Sequence, residues 1–250
     1  MIPRDHPRYH SLVQREKLAH GYERGIVVLE GLIAHGRGEA FDYLLGETTT
    51  EQARRAIRAA AASLLLASSP VISVNGNTAA LCAEQLVRLA REAGAKLEVN
   101  LFYRSAGRAR RIAELLRRAG AEEVLGVEPE AEIPNLSSQR RLVARRGIYS
   151  ADVVLLAVED GDRTEALVEM GKRVIAIDLN PLSRTARRAS ITIVDEVTRA
   201  LPLLTRELGE LRGLSRAELQ RLASFDNRSN LKAVLRYIAG RLAELEPEDF

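Results

Sequence analysis

Apolar positions recur at helical spacing at Ala53, Ile57, Ala60, Ala61 and Leu64, and stop at Ser68-Ser69-Pro70. The preceding Thr48-Thr49-Thr50-Glu51 predicts a capping box, with the Thr48 hydroxyl and the Glu51 carboxylate taking up free amides at the helix start. A β-branched run at 71–74 then ends in Asn75-Gly76-Asn77, the pattern of a strand and a turn. From there the chain alternates. Helices are predicted near 78–93, 105–119, 136–146, 162–170 and 196–211, closed at several points by glycine. Between them lie strands at 96–101, 123–126, 152–158, 173–177 and 191–194.

Short strands separated by helices imply crossover connections and a parallel sheet covered on both faces. The expectation is an α/β chain with a Rossmann-like three-layer fold and a mainly parallel sheet of about six strands. Residues 1–45 read as a helical N-terminal segment interrupted by His35-Gly36-Arg37-Gly38-Glu39, and belong with the catalytic domain at 1–211. Residues 212–250 read as a C-terminal helical extension with a Ser215–Glu218 capping box and an amphipathic helix over 227–244, suited to a docking or dimer surface.

Composition narrows the class. Basic residues number 37 against 34 acidic, a net charge of +3, and only 4% of residues are aromatic. That is small and dispersed for a nucleic-acid binder, which needs clustered cations. Cys82 is the single cysteine, so disulfides within the chain and thiolate metal clusters are excluded. No apolar run approaches the roughly 18 residues of a membrane span, and the opening MIPRDHPRYH lacks a signal-peptide core. The reading is a soluble cytoplasmic protein.

The common nucleotide, zinc-protease and hydrolase motifs are absent; Gly36-Arg37-Gly38 starts like a dinucleotide loop but precedes the first strand and lacks the third glycine. Position is more informative, because open α/β sheets bind ligands beyond the carboxyl ends of their strands. Asn75, Asn77, Asn100 and Asn180 fall there, with Glu159-Asp160-Gly161-Asp162-Arg163 and Asp178-Leu179-Asn180-Pro181. Turn preference alone accounts for any single one of these residues, and Asp162 with Glu165 also reads as a helix cap. Arg15, Arg37 and Arg184 are candidate phosphate clamps, since a guanidinium pairs with two phosphate oxygens at once. His35 is the histidine set in the glycine-rich stretch, whereas His6, His10 and His20 read as surface groups. Cys82 reads as a small buried hydrophobe.

The segments IPRDHPRYHSLVQREKL, GLIAHGRGEAFDYLLGE, PVISVNGNTAAL, EVNLFYR, EDGDRTEALVEMGK and VIAIDLNPLSRTA, in that order over residues 2–203, closely resemble the archaeal 4-phosphopantoate–β-alanine ligase (phosphopantothenate synthetase) family. The resemblance implies a homodimeric, AMP-forming ligase of coenzyme A biosynthesis. It would join 4-phosphopantoate to β-alanine with ATP and Mg2+, by way of an adenylate. It also implies ATP contacts from Arg15, Arg37, Asp178, Leu179, Asn180, Arg184, Thr185, Glu196 and Val197. At Asp195-Glu196 the family favours Asp-Asn; a carboxylate cannot donate, so a backbone contact is expected at Glu196.

Such chemistry needs cations for phosphates, carboxylates for a metal or a proton, and amides to orient the reactants. Asn75, Asn77 and Asn100 are assigned to the pantoate side, and Asp160 and Asp162 to metal binding or to the amine. Two alternatives stand beside this reading: another carboxylate-activating enzyme of the same fold, and a module that binds ATP without turnover. Fold alone does not separate them.

Overall fold

The computed structural model describes residues 2–245. Helices α1 (Tyr9–Glu23), α2 (Leu29–Leu45) and α3 (Glu51–Leu66) come first. They are followed by β1 (Pro70–Val74), α4 (Gly76–Ala93), β2 (Lys96–Val99) and α5 (Ala106–Arg118). A small hairpin of β3 (Ala131–Glu132) and β4 (Leu142–Val143) precedes β5 (Val153–Ala157) and α6 (Gly161–Glu169). The chain continues through β6 (Arg173–Ile177), α7 (Arg184–Arg188), β7 (Ile191–Ile193), α8 (Val197–Leu211), α9 (Arg216–Ala223) and α10 (Asn227–Ala243).

The main sheet is parallel throughout, in the order β2-β1-β5-β6-β7. Its strands are apolar on both sides because both sides are covered. Ile72, Leu155 and Ile175 join one core with α3, α4, α5 and α8, while Val71, Val154 and Val174 join a second core with α6 and the hairpin segment. Helix α4 therefore leaves β1 on one face and α6 leaves β5 on the other. The neighbours β1 and β5 form the topological switch point, where such folds open a ligand crevice. Helices α9 and α10 pack on α3 and on the β7 side. There Leu231, Val234 and Ile238 close a third core with Leu45, Ala186 and Val194.

Four expectations need correction. The strand expected at 123–126 is reduced to one parallel bridge, Leu125 to Glu98, because Gly126 turns away with φ +80°. The helix expected at 136–146 is a 3-10 turn (Gln139–Arg141) followed by β4. Its backbone groups are claimed from β2 and the residue after it: Glu98 accepts from the amides of Ala144 and Ile148, and Asn100 donates to the carbonyls of Arg140 and Leu142. The cap of α3 is Thr50, whose hydroxyl accepts from Ala53, while Thr49 is drawn to Asp195; Thr48 caps nothing. Finally, His35-Gly36-Arg37-Gly38-Glu39 is no turn but the middle of α2, which ends only at Gly46 with φ +84°.

Candidate active site

A cavity of about 730 Å3 opens at the carboxyl ends of β5, β6 and β7, walled on its outer side by α1 and α2. A second, of about 240 Å3, lies over the ends of β1 and β2. Ala34, Arg37, Asn77, Val158 and Asp160 line both, so the two compartments meet at the switch point.

Arg37, Asn77 and Asp160 thus stand at the junction, and Asp178, Leu179, Asn180, Glu196 and Val197 line the larger cavity. Asn75 lines the smaller one, but its side chain is spent on the protein: Oδ1 accepts from Thr78 to cap α4, and Nδ2 donates to Ala157 and Val158. Asn77 donates to the Gly31 carbonyl (2.7 Å). Five predicted site residues lie off the cavities. Arg15 sits outside both and pairs with Glu39 (2.8 Å), a wall residue of the larger one. Arg184 is exposed and pairs with Glu165 (2.5 Å); Thr185 is buried and donates to the Glu159 carbonyl (2.9 Å). Asn100 is buried behind the site, tying β2 to the hairpin segment. Asp162 does not cap α6 with Glu165 as expected: it lies in the first turn, Asp160 is the N-cap residue without any side-chain cap, and Glu165 pairs with Arg184 and Arg188.

Buried charges frame the junction. Glu159 is held between Arg140 and Arg163, and Arg163 also donates to Ser73 Oγ (3.1 Å). Arg140 Nε also lies 2.6 Å from Asp160 Oδ2, an ion pair at the junction. Burial pushes the Asp160 carboxyl up, and Arg140 opposes it. Below the larger cavity Arg199 binds Asp42 (2.5 Å) and Asp195 (2.8 Å), fastening α8 to α2. Asp178 accepts from Ser183 Oγ and from the Asn180 amide, and burial raises its proton affinity.

A family profile described as phosphopantothenate/pantothenate synthetase matches residues 52–241. The 4-phosphopantoate–β-alanine ligase of Thermococcus onnurineus is 56% identical over 246 residues, covering 98% of this chain and 94% of the relative. The enzyme of the same name from Thermococcus kodakarensis is 54% identical over 249 residues (99% and 95%), and that from Methanosarcina mazei 53% over 248 (99% and 98%). The chain belongs to the phosphopantothenate/pantothenate synthetase family. The profile begins within α3, so α1 and α2, which carry Arg15 and Arg37, are matched through the near full-length relatives.

Within this family member, the carboxylate at 196 has a side-chain task after all. Glu196 is the N-cap of α8 and accepts from the amides of Thr198 (2.7 Å) and Arg199 (3.3 Å). A cap needs only an acceptor oxygen, which carboxylate and amide both supply.

Sequence reasoning missed Arg108 and Arg140. Arg108 lines the smaller cavity, donates to the carbonyls of Ile26 (2.7 Å) and Tyr103 (2.8 Å), and makes no ion pair among the described residues. Burial, aided by the neighbouring Arg140 and Arg111, brings its pKa down to about 10. Gly76 leaves it room: a Cβ there would lie 2.5 Å from Arg108 Nη2 and 2.3 Å from the Ile26 carbonyl. Neither arginine has a local sequence signal: Arg108 reaches the site from the first turn of α5 and Arg140 from the 3-10 turn before β4. His35 lines the larger cavity with Nε2 buried and unpartnered, and burial lowers its pKa. No group of three or more His, Cys, Asp or Glu side chains among the described residues is arranged to hold a metal ion.

Proposed function

We propose that this chain joins 4-phosphopantoate to β-alanine with ATP, giving 4'-phosphopantothenate, AMP and diphosphate, a step of coenzyme A biosynthesis. The observation that carries the reading is the pair of unequal cavities meeting at Arg37, Asn77 and Asp160. The larger suits a nucleotide and the smaller a short phosphorylated acid.

In this reading Asp178, Leu179 and Asn180 receive the adenosine end, Val197 and the backbone at Glu196 add contacts, and Arg37 meets the triphosphate at the junction. Arg15 at the rim and the exposed Arg184 beside the start of α6 are further cations for the phosphates, while the buried Thr185 steadies that turn through the Glu159 carbonyl. The phosphate of the acid sits with Arg108 and Arg140, because Arg108 is a buried cation in want of an anion. Asn77 faces the acid from the junction. Asn75 and Asn100, whose donors are already engaged, shape the pantoate side from behind.

A carboxylate oxygen of the acid attacks the α-phosphorus and diphosphate leaves, giving the acyl adenylate. The β-alanine amine then attacks the acyl carbon, AMP leaves, and the proton lost by the ammonium passes to Asp160. That carboxylate suits the task, since it lines both cavities and burial raises its affinity for a proton. Asp162, outside both cavities, receives no role. Mg2+ fits as a companion of the nucleotide: with no three protein side chains among the described residues arranged to hold it, the phosphates and water would supply most of its oxygens, and its charge would offset theirs. The reading includes a cytoplasmic homodimer acting on small molecules, with neither nucleic acid nor membrane in its reaction.

Labelled diphosphate should exchange into ATP when 4-phosphopantoate is present and β-alanine is absent. Product formation without any such exchange would contradict the adenylate route.

A further inference from the structure

Val158, the residue after β5, has φ +53°. A β-branched side chain is rarely found in the left-handed region, where glycine is the usual occupant. Packing does not impose this conformation, because Val158 is 37% exposed. Hydrogen bonds do. Asn75 Nδ2 donates to the carbonyls of Ala157 (2.8 Å) and Val158 (3.1 Å), and the Val158 amide donates to Ile177 (3.3 Å).

Asn75 is itself immobilised: Oδ1 accepts from the Thr78 amide (3.0 Å), and the Asn75 amide donates to Thr78 Oγ1 (3.1 Å). One side chain therefore bridges the crevice between β1 and β5, anchored on α4 and gripping the turn that leads into α6. Two consequences follow from that grip. Both carbonyl oxygens are turned onto the Asn75 amide instead of facing an incoming carboxylate and phosphate. Of the next residues, Asp160 is set at the junction of the two cavities and Glu159 at the wall of the larger. Backbone strain that hydrogen bonds maintain at a ligand crevice is characteristic of pre-organised sites.

We propose that Asn75 is a positioning residue, which holds Val158 in its left-handed conformation and thereby aims Asp160 at the reacting groups. This rests on the reaction assigned above. The test is a double-mutant cycle of Asn75→Asp and Val158→Gly. Aspartate keeps the acceptor that caps α4 and loses the donor to the two carbonyls. Glycine adopts φ +53° without strain, so it makes the grip unnecessary.

Asn75→Asp should lower kcat roughly tenfold with KM for ATP within about twofold, and the loss should shrink to about threefold or less in the Val158→Gly background. The fall in Tm caused by Asn75→Asp should shrink in the same background. An equal loss of kcat in both backgrounds, or a change in KM with kcat preserved, overturns the proposal. If Asn75→Asp does not fold, Asn75→Ser, which keeps a capping oxygen but cannot reach both carbonyls, takes its place. The Tm cycle needs no substrate: a wild-type protein that releases no AMP sinks the assigned reaction, whereas equal Tm losses in both backgrounds sink the grip itself.

Discussion

Glu159 and Arg163 form an ion pair across the first turn of α6 in which the two side chains are 1% and 0% exposed. Burial pulls the Arg163 pKa down, and the adjacent Glu159 works against that. In such a pair each partner stands in for the water the other has lost. Its removal by halves is therefore costly. Glu159→Gln should destabilise the fold by about 3 kcal/mol, since it strands a buried guanidinium. Combining it with Arg163→Met should recover part of that loss, a coupling read by denaturant melts of the two single variants and the double. Simple additivity would show that the pair is not an energetic unit.

Arg108 gives the opposite expectation. It is buried beside Arg140 without a carboxylate of its own, and holds the free protein through its hydrogen bonds to the Ile26 and Tyr103 carbonyls alone. Arg108→Met should lower Tm only modestly, through those two lost hydrogen bonds, and should raise KM for 4-phosphopantoate by roughly tenfold or more, the worth of a charge-assisted contact. KM for ATP should be unaffected. Steady-state kinetics with each substrate varied in turn check this, and a rise confined to KM for ATP would place the acid's phosphate elsewhere.

Stability should also depend on pH through Glu98. Burial pushes its carboxyl up to about 7, against the pull of the Ile148 and Ala144 amides, from an ordinary value near 4.5. The folded protein therefore holds a proton that the unfolded chain has released across that interval. Stability falls as pH rises from about 4.5 to about 7 and levels off above it. Burial raises Asp160, Asp178, Asp195 and Glu196 too, which acts in the same direction, while His35, lowered by burial, acts in the opposite one. Melting temperatures measured from about pH 5 to 8 should decline, and Glu98→Gln should flatten the decline whatever it does to absolute stability. An unchanged slope in that variant would remove Glu98 from the account.

The features legible in the sequence are those set by neighbours along the chain. Five strands of the main sheet follow from short β-branched runs bounded by glycine, and the Ser215–Glu218 box from its spacing. The errors arise where distant groups decide. Leu142 and Val143 look helical, but Glu98 and Asn100 claim the surrounding backbone groups from β2 and the loop after it. Thr48 has the right spacing for a cap, yet α2 runs on to Leu45, and the cap falls to Thr50. The site divides in the same way. Asp160, Asp178 and Asn180 follow strands directly, so strand ends locate them. Arg108, Arg140 and Arg199 arrive from remote helices or loops, and in a chain with 37 basic residues nothing local marks them.

The most direct measurement is AMP release with ATP, Mg2+ and β-alanine, using either 4-phosphopantoate or unphosphorylated pantoate. The account predicts AMP in amounts equal to amide product, requiring both β-alanine and the phosphorylated acid. ATP bound without AMP under any combination, or AMP formed with pantoate alone, would contradict it.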